Sequence, residues 1–192
     1  MNPEKPSFIL RPFTMDDVDS LVRHANNKNI ACNLVDAFPH PYTREDGIAF
    51  ITSLHPVRVG DPVRVGDPVR VEDPVGVGDP VRVFAIVIDG LACGSIGIFQ
   101  QADVHRKNAE IGYWLGEEFW GRGIVTEAVK QILEFGFTNL DIIRIYARTF
   151  SSNKASHRVL EKAGMKPEAR FEKSIFKEGR YIDELIYSVK KG

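Results

Sequence analysis

The sequence predicts one domain of mixed α/β class, in which about four helices flank a central sheet of about seven strands. Its 192 residues suffice for a single domain with a sizeable apolar core. Apolar residues recur at the spacing of a strand in some segments and at the spacing of a helix in others. This pattern predicts the order strand, two helices, three strands, helix, strand, helix, two strands. Because helices and strands are intermixed in this order, we expect residues 1–192 to form a single mixed α/β domain.

The first three elements are a strand and two helices. Residues 8–13, FILRPF, form the expected strand, and Thr14 can cap the helix that follows, with two aspartates at its positive end. A second helix is expected in residues 42–54, YTREDGIAFITSL, with Thr43 as its cap. The apolar side chains expected on one face of this helix are Ile48, Ile51 and Leu54.

A hexapeptide repeat with the pattern PVRVGD follows, and we predict that residues 56–83 form a loop inserted into the domain. Repeats also build solenoids, but this run is short, its copies are nearly identical, and each unit carries a proline that cannot donate to a strand ladder. A loop expansion is the simplest interpretation, since lengthening a surface loop costs little free energy. Short hairpins and a self-associating structural segment are the alternatives. The units begin at Pro56, Pro62, Pro68, Pro74 and Pro80.

Three strands, a long helix, a strand, a helix and a closing hairpin complete the chain. Asp89-Gly90, between two apolar runs, is a strong hairpin signal, and KNAEIGYWLG is the third strand of the group. A long helix is expected to begin near Arg122 or Gly123, and the helix in NKASHRVLEKAG is closed by Gly164. The last two strands turn at residues 177–179. The inner face of the long helix is expected to hold Ile124, Ala128, Ile132, Leu133 and Phe137.

Composition narrows the possible partners. The chain has 25 Lys and Arg against 26 Asp and Glu, so no basic field indicates nucleic acid or a charged membrane surface. No apolar stretch approaches the length of a membrane span, and the N-terminal residues lack the apolar core of a signal peptide, so we expect a cytoplasmic protein. We expect it to be a monomer or a homodimer. Cys32 and Cys93 are far apart, which predicts free thiols, with Cys93 in the core, and no metal site.

The stretch EEFWGRGIVTEAV places two glycines at the start of the long helix. Glycine costs helical stability, so its presence there suggests that the backbone contacts a ligand. A helix N-terminus offers unpaired N–H groups and a positive dipole end, and phosphate is the ligand that suits it. Gly121 and Gly123 would admit phosphate oxygens, Arg122 would add charge and Thr126 could donate its hydroxyl. A plain tight turn is the alternative.

Taken with three further segments, this stretch resembles the GNAT acyl-CoA-dependent N-acyltransferases across nearly the whole chain. EFWGRG, residues 118–123, is similar to the family pattern Arg/Gln-x-x-Gly-x-Gly/Ala, although Glu118 departs from the usual basic or amide residue. LRPFTMDD, AEIGYWLGEEFWGRGIVTEAV and NKASHRVLEKAGM resemble the ribosomal-protein alanine N-acetyltransferase branch, the RimJ/RimL type. The resemblance implies a mixed, mostly antiparallel sheet whose fourth and fifth strands splay apart around acetyl-CoA.

The same resemblance implies how acetyl-CoA would be held. Its pyrophosphate would bind the backbone amides of residues 121–126, namely those of Gly121, Arg122, Gly123, Ile124, Val125 and Thr126. Amides near Tyr113, Trp114 and Leu115 would hold the thioester carbonyl. Asn153 would hydrogen-bond the pantetheine arm.

Two catalytic residues follow from the resemblance. Glu110 matches the position of the family's glutamate base, which would take a proton from the attacking amine directly or through water. The family's usual tyrosine is replaced here by Leu160, so Ser156 is expected to hydrogen-bond the leaving sulfur. Ordinary structural roles are the alternatives: Glu110 as a paired strand residue, Asn153 as an N-cap and Ser156 as a solvated helix residue. His157 is expected to have no part in catalysis.

The sequence therefore predicts an enzyme that transfers the acetyl group of acetyl-CoA to a primary amine, most plausibly a protein N-terminus. A small amine such as a polyamine or an antibiotic is a second possible acceptor. A non-catalytic acyl-CoA-binding module is the competing class, because it would need the glycine turn and Asn153 but neither Glu110 nor Ser156.

Overall fold

The computed structural model describes residues 7–54 and 81–192. Most of the predicted loop insertion therefore lies outside the described residues, and only its last residues, 81–83, belong to a described strand. The described residues form one sheet with helices packed on it, which confirms the expected mixed α/β class.

Seven strands form a single sheet in the described part of the chain, in the order β1-β2-β3-β4-β5-β7-β6. Neighbouring strands are antiparallel except β4 and β5, which run parallel. The sheet is therefore mixed and mostly antiparallel, as expected. The strands are β1 (Ile9–Arg11), β2 (Val81–Ile88), β3 (Leu91–Gln100), β4 (Asn108–Leu115), β5 (Arg144–Phe150), β6 (Lys166–Lys177) and β7 (Arg180–Lys190).

The parallel strands β4 and β5 separate along their length. Their pairing ends at Glu110 opposite Tyr146. Beyond that point β4 remains paired with β3 as far as Leu115, and β5 remains paired with β7 as far as Phe150. The two strands therefore diverge into an open wedge, because each is held by its outer neighbour. This confirms the predicted splay of the fourth and fifth strands.

Five α-helices lie in the described residues, one more than the four expected. The additional helix is a single turn of four residues, too short for a hydrophobic period to reveal it. Asn27 caps this turn, since its side-chain oxygen accepts the N–H of Asn29 at 2.8 Å. The helices are α1 (Val18–Ala25), α2 (Lys28–Ala31), α3 (Arg44–Leu54), α4 (Ile124–Asn139) and α5 (Lys154–Lys162).

Two of the predicted helix ends, at the start of α3 and the end of α5, are confirmed. Thr14 is the N-cap of the short 3₁₀ turn Met15–Asp17, whereas α1 itself begins after Asp17. Thr43 and Asp46 form a reciprocal cap at α3, in which Thr43 N–H donates to Asp46 Oδ2 at 2.8 Å and Asp46 N–H donates to Thr43 Oγ1 at 3.3 Å. Gly164, with φ 91°, follows α5 in the left-handed conformation expected of a C-terminal cap.

Two apolar clusters cover the two faces of the sheet. On β2, Ile86 and Ile88 pack with α4 and α5, whereas Ala85 and Val87 pack with α1 and α3. The inner face of α4 is as predicted, with Ile124, Ala128, Ile132 and Leu133 buried and Phe137 partly buried. The site described below lies where these layers meet the wedge. None of the helices in residues 7–54 and 81–192 is long and apolar enough to cross a membrane.

Candidate active site

The glycine turn before α4 exposes its backbone. Gly121 and Gly123 have φ of 76° and 78°, and a Cβ built on either would meet no other atom within 4 Å. The first helical hydrogen bond runs from Glu127 N–H to the Gly123 carbonyl at 3.1 Å. The amides of residues 124–126 therefore precede the intrahelical ladder and are available to a ligand. The helix begins at Ile124, slightly later than the predicted start, because a left-handed Gly123 cannot continue a right-handed helix.

Side chains from the N-terminal helices hold this turn in place. Glu117 accepts hydrogen bonds from Asn27 at 2.7 Å and Asn29 at 3.0 Å, which lowers the pKa of its carboxyl. Glu118 contacts Nδ1 of the buried His24 at 3.1 Å. Burial lowers the pKa of His24, an effect that Glu118 partly offsets. Glu118, which departs from the family pattern, thus has His24 as a structural partner. Sequence spacing could not reveal this contact, because the two residues are distant in the chain.

A cavity of about 370 Å³, which we call the donor cavity, extends from the glycine turn to the start of α5. Every predicted donor-binding residue lines it except Arg122, whose Nη2 instead donates to the Glu118 carbonyl at 2.8 Å. The predicted residues that line it are Tyr113, Trp114, Leu115, Gly121, Gly123, Ile124, Val125, Thr126 and Asn153, together with Ser156.

Two basic residues that the sequence analysis missed also line the donor cavity. Arg158 and Lys162 are four residues apart on α5, so they share one helix face. That spacing was readable in the sequence, although nothing in it indicated which face would border a ligand. Their charges suit a polyphosphate ligand.

The start of α5 meets β4 inside this cavity. Ser156 Oγ and Tyr113 Oη are hydrogen-bonded at 2.8 Å, and burial raises the pKa of Tyr113 to about 12. Asn153 caps α5, because its Oδ1 accepts the Ser156 N–H at 3.1 Å. The N-cap hydrogen bond uses the Asn153 side-chain oxygen, and Asn153 also lines the cavity.

The end of β4 provides backbone groups at the wedge. Beyond Glu110, β4 pairs only with β3 among the described strands, so alternate N–H groups from 111 to 115 point toward the open side. The indole Nε1 of Trp120 donates to the Leu115 carbonyl at 2.7 Å, which seats the half-exposed ring beside the cavity.

Glu110 does not line the donor cavity, and its side chain lies on the sheet face opposite to that of Tyr113 and Leu115. Because side chains alternate along a strand, Glu110 shares its face with Gly112 and Trp114. Arg148 Nε lies 3.7 Å from Glu110 Oε2, and Arg148 Nη1 lies 3.6 Å from Glu184 Oε2. The carboxylate therefore sits beside an arginine that two glutamates share.

A second cavity, of about 1000 Å³, opens on the face that Glu110 occupies, although Glu110 does not line it, and we call it the acceptor cavity. It shares Leu34, Tyr113 and Trp114 with the donor cavity, so the two meet at the wedge. Residues from α1, α3, β2, β3 and the segment 34–42 also line it. Sequence reasoning did not find this cavity, because its walls come from segments without a common motif.

Other candidate groups have structural roles. His157 is buried, as the expectation of a core position allows, stacks on Tyr187, and donates from Nε2 to the Phe150 carbonyl at 3.1 Å. Cys93 is buried, and burial raises the pKa of its thiol. Within residues 7–54 and 81–192, no cluster of three His, Cys, Asp or Glu side chains could hold a metal ion.

Comparison with known proteins identifies the family. Residues 7–166 match the family described as the acetyltransferase (GNAT) domain. This match covers most of the chain, and the chain belongs to the GNAT acetyltransferase family.

Individual relatives are more distant. The putative ribosomal N-acetyltransferase YdaF of Bacillus subtilis is 33% identical over 106 residues, covering 55% of this chain and 57% of the relative. Spermidine N(1)-acetyltransferase of Escherichia coli is 28% identical over 100 residues, covering 52% of this chain and 53% of the relative. The chain thus spans about half the length of the curated relatives it matches.

Solved structures share the fold. RimJ of Mycobacterium smegmatis, in complex with CoA-disulfide, superimposes with a TM-score of 0.76 at 22% identity, covering 97% of this chain and 83% of that chain. The likeness establishes the same arrangement of strands and helices.

Proposed function

We propose that this protein transfers the acetyl group of acetyl-CoA to a primary amine. The observation that carries the proposal is the continuity between the open glycine turn, the donor cavity and the acceptor cavity at Tyr113 and Trp114. A donor bound on one side of the sheet and an amine bound on the other would meet at the wedge between β4 and β5.

The donor would bind by its phosphates and its pantetheine arm. The amides of residues 124–126 would hold the pyrophosphate, since they face out of the N-terminus of α4 and carry its positive dipole end. Arg158 and Lys162 would add two positive charges along the same cavity. Asn153 would contact the pantetheine arm through its amide group, which the N-cap hydrogen bond leaves available.

The chemistry needs a neutral amine and a stabilised leaving thiolate. An α-amino group has an ordinary pKa of about 7.7–8.0, so a fraction of it is protonated at neutral pH and a base assists its attack. Glu110 would take the proton as the nitrogen–carbon bond forms and the carbon–sulfur bond breaks. Ser156, hydrogen-bonded to Tyr113, would donate a hydrogen bond to the departing sulfur.

The acceptor in this proposal is a protein N-terminus. Its relative YdaF, named as a putative ribosomal N-acetyltransferase, supports that choice. The spermidine acetyltransferase relative favours a small polyamine as the second candidate. A non-catalytic acyl-CoA-binding module would bind the donor in the same way and show no turnover.

Two matched glycines test the donor site. Gly121→Val places a side chain in the donor cavity. Gly179 has the same φ of 76° but lies in the β6–β7 turn and lines neither cavity, so Gly179→Val is the matched control. Both substitutions should cost about 1–3 kcal/mol of stability through backbone strain. Only Gly121→Val should weaken acetyl-CoA binding, by about tenfold or more in titration calorimetry.

Equal acetyl-CoA affinities for the two variants would contradict the donor site. Turnover is tested separately, by following acetyl-CoA consumption with N-terminal peptides, polyamines and aminoglycosides. Donor binding without consumption of acetyl-CoA by any amine in this panel would favour the binding module instead.

A further inference from the structure

The acceptor cavity is built from apolar and aromatic surface. We infer that it takes a primary amine carried on an apolar, preferably aromatic, body, rather than a polyamine; this inference rests on the proposed acetyl transfer. The volume of about 1000 Å³ accommodates a group much larger than the amine itself.

The floor of the cavity is formed by small residues of the sheet and one aromatic ring. Ser95, Gly97 and Gly112 lie on adjacent positions of β3 and β4. The Phe99 ring lies over the two glycines, because a Cβ at position 97 would meet it at 2.8 Å and a Cβ at position 112 would meet it at 3.8 Å. The glycines therefore leave room for the Phe99 ring, which gives the floor an apolar, aromatic surface for a ligand.

Aromatic side chains form one wall. Phe38 packs edge-on against Trp114, with ring centroids 5.8 Å apart, and lies 5.2 Å from Tyr42. Each ring is held by the next, so their surfaces are preorganised for a ligand. Phe50 and Leu54 extend the apolar wall along α3.

The described residues that line the cavity carry little charge. Among the described residues that line it, Asp46 is the one with a carboxylate. Its Oδ2 accepts the N–H and the hydroxyl of Thr43, each at 2.8 Å, as part of the α3 cap. A polyamine carries several ammonium groups, and each must keep its hydration or find an anionic partner. Among the described lining residues, one carboxylate already engaged in the α3 cap offers few partners to a polyamine, which favours an apolar acceptor.

The reacting end of the acceptor would lie next to the floor. Glu110 does not line the acceptor cavity, but it is paired across the sheet with Phe99, which does, and it shares its strand face with Gly112. An amine whose body rests on the floor would therefore have its nitrogen between Glu110 and the wedge. The same geometry serves a free arylalkylamine and a peptide whose first residue is aromatic.

A panel of acceptors tests the inference with the full chain. The acceptors are 2-phenylethylamine, spermidine, and two tetrapeptides that differ only in a first residue of phenylalanine or alanine. We expect kcat/KM for phenylethylamine or the phenylalanine peptide to exceed that for both other acceptors by about tenfold or more. A smaller preference overturns the inference. Which of the two favoured acceptors is better separates a free amine from a peptide.

A variant that narrows the floor makes the test specific. Gly112→Ala adds a methyl group 3.8 Å from the Phe99 ring, an ordinary contact that leaves the strand intact. It should raise KM for the aromatic acceptor by about fivefold or more while changing KM for n-propylamine by less than about twofold. Equal changes for the two amines would refute an aromatic body on this floor.

Measuring acetyl-CoA binding by calorimetry on the same preparations distinguishes failure of the proposed function from failure of the inferred acceptor. If acetyl-CoA does not bind, the proposed function itself fails. If acetyl-CoA binds and is consumed with spermidine or the alanine peptide as readily as with the aromatic acceptors, the proposed function stands and the apolar acceptor is wrong.

Discussion

At the residue scale, Glu110 is the group on which the proposed chemistry depends most. It stands on the acceptor side of the sheet, within 3.7 Å of Arg148, which also lies 3.6 Å from Glu184. Two glutamates therefore share one arginine, yet only Glu110 lies on β4 beside the wedge. Replacing either glutamate by glutamine removes one negative charge beside Arg148, so the two variants differ only in the position of the lost charge.

We expect Glu110→Gln to lower kcat/KM by about 10²-fold or more, because the attacking amine loses its proton acceptor. Acetyl-CoA affinity should be unchanged, since Glu110 does not line the donor cavity. Glu184→Gln is the control and should keep kcat/KM within about threefold of the parent protein. Steady-state kinetics with a turned-over amine measures both. Wild-type turnover in Glu110→Gln would remove this glutamate from the mechanism.

Sequence patterns predicted single residues well where the signal was local. Asn153 and Ser156, three residues apart at a helix start, are both predicted to contact acetyl-CoA, and both line the donor cavity. His24 was not predicted, because its role depends on Glu118, far along the chain. A buried histidine with Nε2 lacking a hydrogen-bond partner among the described atoms can be recognised only after folding.

At the element scale, the start of α5 combines a structural and a binding role in one side chain. Asn153 Oδ1 accepts the Ser156 N–H, while the same residue borders the donor cavity. Asparagine and aspartate cap helices about equally well, but aspartate lacks the amide donor. The two roles can therefore be separated by substitution.

We predict that Asn153→Ala lowers the free energy of unfolding by about 0.5–2 kcal/mol, through loss of the cap. Asn153→Asp should restore that stability. Both variants should weaken acetyl-CoA binding by about threefold to tenfold, because neither offers the amide donor to the pantetheine arm. Denaturant unfolding and calorimetry provide the two measurements. Parent-like affinity in Asn153→Asp would leave the residue as an N-cap alone.

The other elements show which signals suffice for prediction. Asp89-Gly90 and Glu178-Gly179 adopt positive φ at both positions, as two-residue hairpin turns require, and both hairpins were predicted. The helix α2 was missed because it is a single turn stabilised by Asn27 and by hydrogen bonds from Asn27 and Asn29 to Glu117. Short helices depend on such tertiary contacts rather than on propensity.

At the scale of the whole molecule, one ion pair ties the edge strand to the helical layer. Arg11 in β1 contacts the buried Asp17 through two hydrogen bonds, of 2.6 and 2.7 Å, and Thr14 N–H adds a third at 2.9 Å. Burial alone would raise the pKa of Asp17, but these hydrogen bonds outweigh it, and the pKa is lowered. The folded state therefore favours the ionised carboxylate.

This pair predicts how stability depends on pH. Because the pKa of Asp17 is lower in the folded than in the unfolded state, its stabilisation is present above the unfolded value of about 3.9 and is lost as pH falls through the folded value. Asp17→Asn should cost about 1.5–3 kcal/mol at pH 7. That cost should shrink below about pH 4.

Urea unfolding at several pH values checks this expectation. The exposed neighbour Asp16 provides the control, and Asp16→Asn should stay within about 0.5 kcal/mol of the parent protein throughout. A cost for Asp17→Asn that persists at pH 3 would show that the ionised pair is not its source.

The sequence by itself determined the order of the elements, the helix caps, the hairpin turns and the glycine turn. These features depend on interactions among residues close in the chain, so periodicity and turn chemistry predict them. Family-like motifs also located the donor-cavity residues from Tyr113 to Asn153, apart from Arg122, which lies outside that cavity.

Only the tertiary structure decided the acceptor cavity, the contacts that hold the glycine turn, and the side of the sheet on which Glu110 lies relative to the donor cavity. Each arises where segments far apart in sequence meet across the sheet, as Phe38 meets Trp114 and His24 meets Glu118. Packing of distant segments depends on the whole fold at once, and no local pattern of residues encodes it.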